Sequence, residues 1–179
     1  MRALQEERDT PMTYPLADTL KATAGQMLPA LCGVLTKGQA SAAERNIPEE
    51  VFLGDRLYPD MFPLVKQVQT GTDILARGTA RLAGVDFLSL PDTETSFAEL
   101  IARVRKAHDF VQGASSEAIE ANADAILNIP MGPETRQFPG RVYFLNFVLP
   151  NLYFHASMTY AILRHRGVVL GKRDFMTPA

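Results

Sequence analysis

The sequence predicts an all-α protein: an antiparallel four-helix bundle with a small β-hairpin inserted before the last helix. Three observations predict it. Apolar residues recur at helical spacing in four long stretches. One stretch, VYFLNFVLPNLYFHASMTYAIL at 142–163, contains no Asp, Glu, Lys or Arg. Just before it, Ile126, Leu127 and Ile129 precede Pro130, Met131, Gly132 and Pro133, and Thr135 to Phe138 follow, the mark of a small hairpin with an irregular turn.

The elements follow in order. Residues 1–13 are polar and aperiodic and read as a mobile tail, leaving 14–175 as a single domain. Pro15 suits a first helical turn, and Leu16, Leu20, Ala24, Met27, Leu28, Leu31 and Leu35 then keep helical spacing. Pro29 should kink this helix, which the alanine-rich stretch can carry on to Glu44. Cys32, the one cysteine, reads as a buried structural thiol, and no intrachain disulfide is possible. A short helical turn fits Pro48–Leu53, ended by Gly54.

Asp60 is expected to cap the second long helix, with Pro63 in its first turn. Met61, Val65, Val68, Thr72, Leu75 and Leu82 make its inner face, with Gln67 at the border and Gly84 as the stop. Ser96 and Glu99 have capping-box spacing ahead of Phe97, Leu100, Ile101, Val104 and Val111, the inner face of the third long helix. His108 falls on its inner side and could meet a second histidine across the bundle. A short helix fits Ser116–Ala121.

The charge-free stretch reads as the central helix of the bundle, kinked at Pro150 and closed by Gly167. Its polar residues are too many for a lone membrane span. Asn151, His155 and Thr159 recur every four residues and so form one stripe. His155 is the best-suited group for proton transfer at neutral pH. Asn151 and Thr159 could hold its tautomer or a small polar ligand, and buried without partners they would cost about 1–3 kcal/mol each. The helix carries more aromatics than one partner face needs, which predicts a homodimer.

Composition narrows the function classes. A net charge of −2 speaks against nucleic-acid binding. The N-terminus has no apolar signal region, so a cytoplasmic location is expected. Arg164, Arg166, Lys172 and Arg173 read as helix-end and solvated charges; the alternative is a cluster that holds an anion or pairs with Asp60 and Asp174. No nucleophile elbow, HExxH or CxxC occurs.

Three stretches carry a resemblance: LYPDMFPLVKQVQ (57–69), DTETSFAEL (92–100) and LPNLYFHASMTYAILRHRGVVLGKRDF (149–175). They resemble the domain-of-unknown-function family DUF1993, within the DinB/YfiT-like superfamily of helical bundles. The resemblance implies the bundle fold over most of the chain. In better-understood relatives it implies a divalent metal such as zinc or nickel on three histidines, one from the second helix and two from the fourth at i and i+4. Some of those relatives transfer small thiols such as bacillithiol or mycothiol. Here His155 matches the first fourth-helix ligand, Thr159 stands at the second, and Gln67 is the nearest polar residue on the second helix. The leading expectation is therefore a non-catalytic homodimer that binds a small ligand or acts as a scaffold, with a degraded metal site. The alternative is a metal-dependent thiol transferase using His155.

Overall fold

The structure is a computed structural model that describes residues 14–176. The expected tail at 1–13 lies outside them. The chain is mostly helical, with one two-stranded antiparallel hairpin. The helices are α1 (Leu16–Glu44), α2 (Glu49–Leu53), α3 (Leu64–Ala83), α4 (Phe97–Gly113), α5 (Ser116–Ala121), α6 (Gly140–Tyr143), α7 (Leu149–His165) and α8 (Lys172–Met176). Strands β1 (Ile126–Met131) and β2 (Glu134–Pro139) form the hairpin, and a π-helical turn, Phe144–Val148, joins α6 to α7.

α1 packs along α4, α4 against α3, and α3 against α7; the α7–α1 seam is the thinnest of the four. Short α8 lies on α1 and sets the Phe175 ring edge-on to Tyr160 of α7, 6.0 Å between centroids. One continuous core results, with Leu20, Leu35, Leu64, Leu75, Leu100, Val104, Val148 and Leu163 fully buried.

Glycines set the α3–α7 spacing. A Cβ on Gly71 would lie 3.1 Å from His155 Cβ, and one on Gly78 only 2.7 Å from Val148 Cγ2. Seven residues forward on α3 correspond to seven back from His155 to Val148 at the end of the π turn, so α3 and the α7 run are antiparallel.

Several expectations need correction. Asp60 does not cap α3; the helix starts at Leu64, with Pro63 at the cap position, and Leu64 N donates to Asp55 O instead. The hairpin turn is tight rather than irregular. Gly132 takes φ +62° and supplies the left-handed step, while Pro130 stays within β1 opposite Thr135. A proline fits there because a two-stranded ribbon has only edge strands.

The charge-free helix is not central either. Val142, Leu145, Tyr153 and Phe154 are exposed along it, because α3 covers one side and little covers the opposite one. Pro150 is accommodated by the π turn just before it: Leu149 N reaches back five residues to Phe144 O, a wider turn that eases the crowding a proline ring imposes. Asp60 and Asp174 do not pair with the late arginines. Arg166 pairs with Asp55, and Lys37 with Asp174 at 2.7 Å.

Candidate functional site

His155 sits one-third of the way along α7, facing α3, and is 7% exposed. Its Nδ1 lies 2.7 Å from Gln67 Oε1. Gln67, 2% exposed, is itself held by Nε2 donating to Phe62 O at 3.1 Å. A carbonyl can only accept, so this bond turns the amide oxygen toward the imidazole. That oxygen cannot donate, so Nδ1 carries the ring proton and Nε2 keeps the lone pair. Nε2 has no hydrogen-bond partner among the described residues. Burial holds the His155 pKa below its ordinary value, which keeps the ring neutral at pH 7.

Two exposed aromatics flank this ring. Phe62 stacks on it at 6.5 Å and 14°, and Phe154 meets it edge-on at 5.3 Å. Both rings are about half exposed. Gly71 completes the niche from behind, since any larger residue would push His155 off α3.

The other candidates fall differently. Thr159 is fully buried but spends its hydroxyl on the His155 carbonyl, 2.9 Å away. Asn151 donates to Phe147 O at 2.7 Å. Both satisfy their own helix, so neither orients the ring. His108 stands apart, at the α1–α4 seam, with its Nδ1 3.3 Å from Asp109 Oδ1. The cross-bundle histidine pair does not form, because α4 turns residue 108 toward Leu28 and Cys32 of α1 rather than toward α7.

The metal implied by the superfamily can be tested on these residues. Positions 67, 155 and 159 supply one α3 and two α7 side chains, but these are an amide, one imidazole and a hydroxyl already bonded to backbone. Among the described residues no group of three or more His, Cys, Asp or Glu could hold an ion. Zinc and nickel want imidazole or thiolate. The donor set does not fit them.

Sequence reasoning missed the densest polar feature. Arg103 of α4 is 4% exposed. Its guanidinium reaches Asp73 Oδ1 at 2.6 Å, Glu94 Oε1 at 2.9 Å, Asp92 Oδ1 at 3.1 Å, Thr72 Oγ1 at 2.9 Å and the Pro91 carbonyl at 3.1 Å. Gln69 Nε2 adds a 2.8 Å bond to Glu94, and Lys66 pairs with Asp92 at 2.5 Å. Burial works to raise the Asp92 carboxyl, yet Lys66 and Arg103 hold it below the usual range. The available signal was an arginine at 103 between buried Ile101 and Val104, three residues after Leu100 on the same face.

The Domain of unknown function (DUF1993) family matches residues 16–176 of the chain. Among solved structures, the crystal structure of a DinB family member protein from Shewanella denitrificans is 33% identical, with a TM-score of 0.82, covering 89% of this chain and 90% of that one. No curated protein matches. Among the described residues no helix is long and apolar enough to cross a membrane.

Proposed function

The chain belongs to the DUF1993 family of DinB-like proteins, and we propose that it works as a non-catalytic homodimer, an antiparallel four-helix bundle that binds a small ligand or serves as a scaffold on a former metal position. The Gln67–His155 hydrogen bond carries this reading. It occupies one imidazole nitrogen with a neutral amide at the place where three ligands would have to converge. The remaining lone pair is on Nε2 of a ring flanked by Phe62 and Phe154, a combination that suits a neutral hydrogen-bond donor with an apolar body.

The dimer would use the uncovered side of the continuous helical run α6–α7. Val142, Leu145 and Tyr153 line it, and no charged residue lies between 142 and 163. A two-fold axis across such a face sets no like charges together, which favours a second copy over a charged partner. Phe154 belongs both to this face and to the His155 niche, so dimerisation would shield the ligand.

Elemental analysis and light scattering of the untagged protein test the proposal. Expected are far less than one metal per chain, unchanged in His155→Ala, and a dimer mass that drops to monomer in Leu145→Glu with Tyr153→Glu. A monomeric wild type removes the interface. The second reading is a metal-dependent, thiol-transferase-like enzyme using His155, favoured by the free Nε2. Stoichiometric zinc or nickel that disappears in His155→Ala would establish it in place of the first.

A further inference from the structure

A second cavity lies on the other side of the molecule, where Pro29 interrupts α1. Proline has no N–H to give the Gly25 carbonyl, so the helix ladder skips a rung there. Beside the break is a cavity of about 220 Å³, lined by Leu28, Pro29 and Cys32 of α1 and by Arg105 and His108 of α4. Its floor is apolar and its rim carries a cation, an imidazole and a thiol.

We propose that this cavity binds a small organic carboxylate, with the Arg105 guanidinium as anion anchor and Leu28 and Pro29 seating the apolar part. Arg105 is the informative residue. Among the described residues no carboxylate lies within ion-pair distance of it. Its close neighbour is the Cys32 thiol, and burial pushes that thiol's pKa up, against the pull of Arg105, so the sulfur stays neutral. Among the described residues, then, no carboxylate answers this charge.

The surrounding charges leave that imbalance in place. Asp109 is turned to His108 and is largely exposed. The cleft beyond His108 holds Asp18 and Lys21, one of each sign. A guanidinium presents parallel N–H donors that match a carboxylate, and an apolar floor selects for a short hydrocarbon tail. The volume sits below the roughly 300–1,000 Å³ of sites for drug-sized molecules, which restricts the ligand to a short-chain acid.

Cys32 is the only cysteine, so alkylation reports on this cavity alone. Iodoacetate and iodoacetamide are near in size and differ in charge. The iodoacetate-to-iodoacetamide rate ratio at Cys32 should be roughly fivefold higher in the folded protein than in the urea-unfolded chain. It should fall to the unfolded value in Arg105→Gln, whose side chain is exposed and whose fold circular dichroism can check. Butyrate should protect the wild type saturably. A folded ratio equal to the unfolded one, or one unchanged in Arg105→Gln, overturns the proposal. If the folded thiol reacts with neither reagent, a butyrate titration followed by NMR decides: shifts at Arg105 and His108 support the site, and none at millimolar butyrate removes it.

Discussion

Arg103 and His155 are both polar, both more than nine-tenths buried, and both bonded to α3. They differ in how completely they are satisfied. Arg103 gives each of its three nitrogens at least one acceptor, and three carboxylates surround it. His155 has one bonded nitrogen and one without a partner among the described residues. A fully answered charge is a structural fastening: it ties α3, α4 and the 85–96 connection together and has nothing left to offer a ligand. An oriented imidazole with a spare lone pair beside two half-exposed aromatic rings keeps a capacity for recognition.

That contrast can be broken by mutation, and the effects should be graded. Arg103→Met should be the worst, since it abandons Asp73 and Glu94 in partly buried surroundings; a loss of about 3–5 kcal/mol is expected in urea unfolding. Proteolysis should then cut first within 85–96. Next comes Gly78→Ala, where the added methyl meets branched Val148 at 2.7 Å and should cost about 1–3 kcal/mol by thermal melting. This variant disturbs α3–α7 packing without touching either polar group. His155→Ala should cost less than Arg103→Met, about 1–3 kcal/mol, mostly from the Gln67 oxygen left without a donor. If His155→Ala proves as damaging as Arg103→Met, the imidazole is a fastening too, and the distinction fails.

The pH dependence sharpens the same comparison. The folded His155 pKa lies below its ordinary value, so the unfolded chain binds this proton more readily. The stability it contributes is complete above the unfolded value of about 6.5 and declines as pH falls below it. Replacing His155 with Asn should flatten the stability profile below about pH 6.5, measured by urea unfolding at each pH. The Arg103 carboxylates divide: Asp92, held below the usual range by Lys66 and Arg103 against its own desolvation, keeps its charge to lower pH, whereas burial pushes the Asp73 carboxyl up. Ser96→Ala is the smallest change, about 1 kcal/mol from the lost α4 cap; Ser96 Oγ accepts from Glu99 N at 3.2 Å there.

Much of this was readable beforehand because it is local. The Ser96–Glu99 box forms as its spacing predicts, with Glu99 Oε2 accepting from Ser96 N at 3.1 Å. Gly84 and Gly167 stop their helices at positive φ, +66° and +84°. The stripe on α7 was also legible, but its meaning was not. Asn151 and Thr159 bond backbone one turn earlier, an option every mid-helix Asn or Thr has and one that periodicity cannot rank. Likewise DTETSFAEL carried the family resemblance, while its Asp92 and Glu94 turn out to serve Arg103.

The order of residues alone determined the helical class, the Ser96 cap and the glycine stops, the hairpin and the presence of one histidine in an uncharged helix, since each depends on neighbours within about one or two turns. Only the tertiary structure decided which nitrogen of His155 is engaged, that Gln67 engages it, that His108 belongs to a different seam, and that one side of the last helix is left uncovered. Those outcomes depend on how α3 meets α7 and α1 meets α4. Two glycines and the volumes opposite them set the first of these approaches, and no spacing within a single helix encodes it.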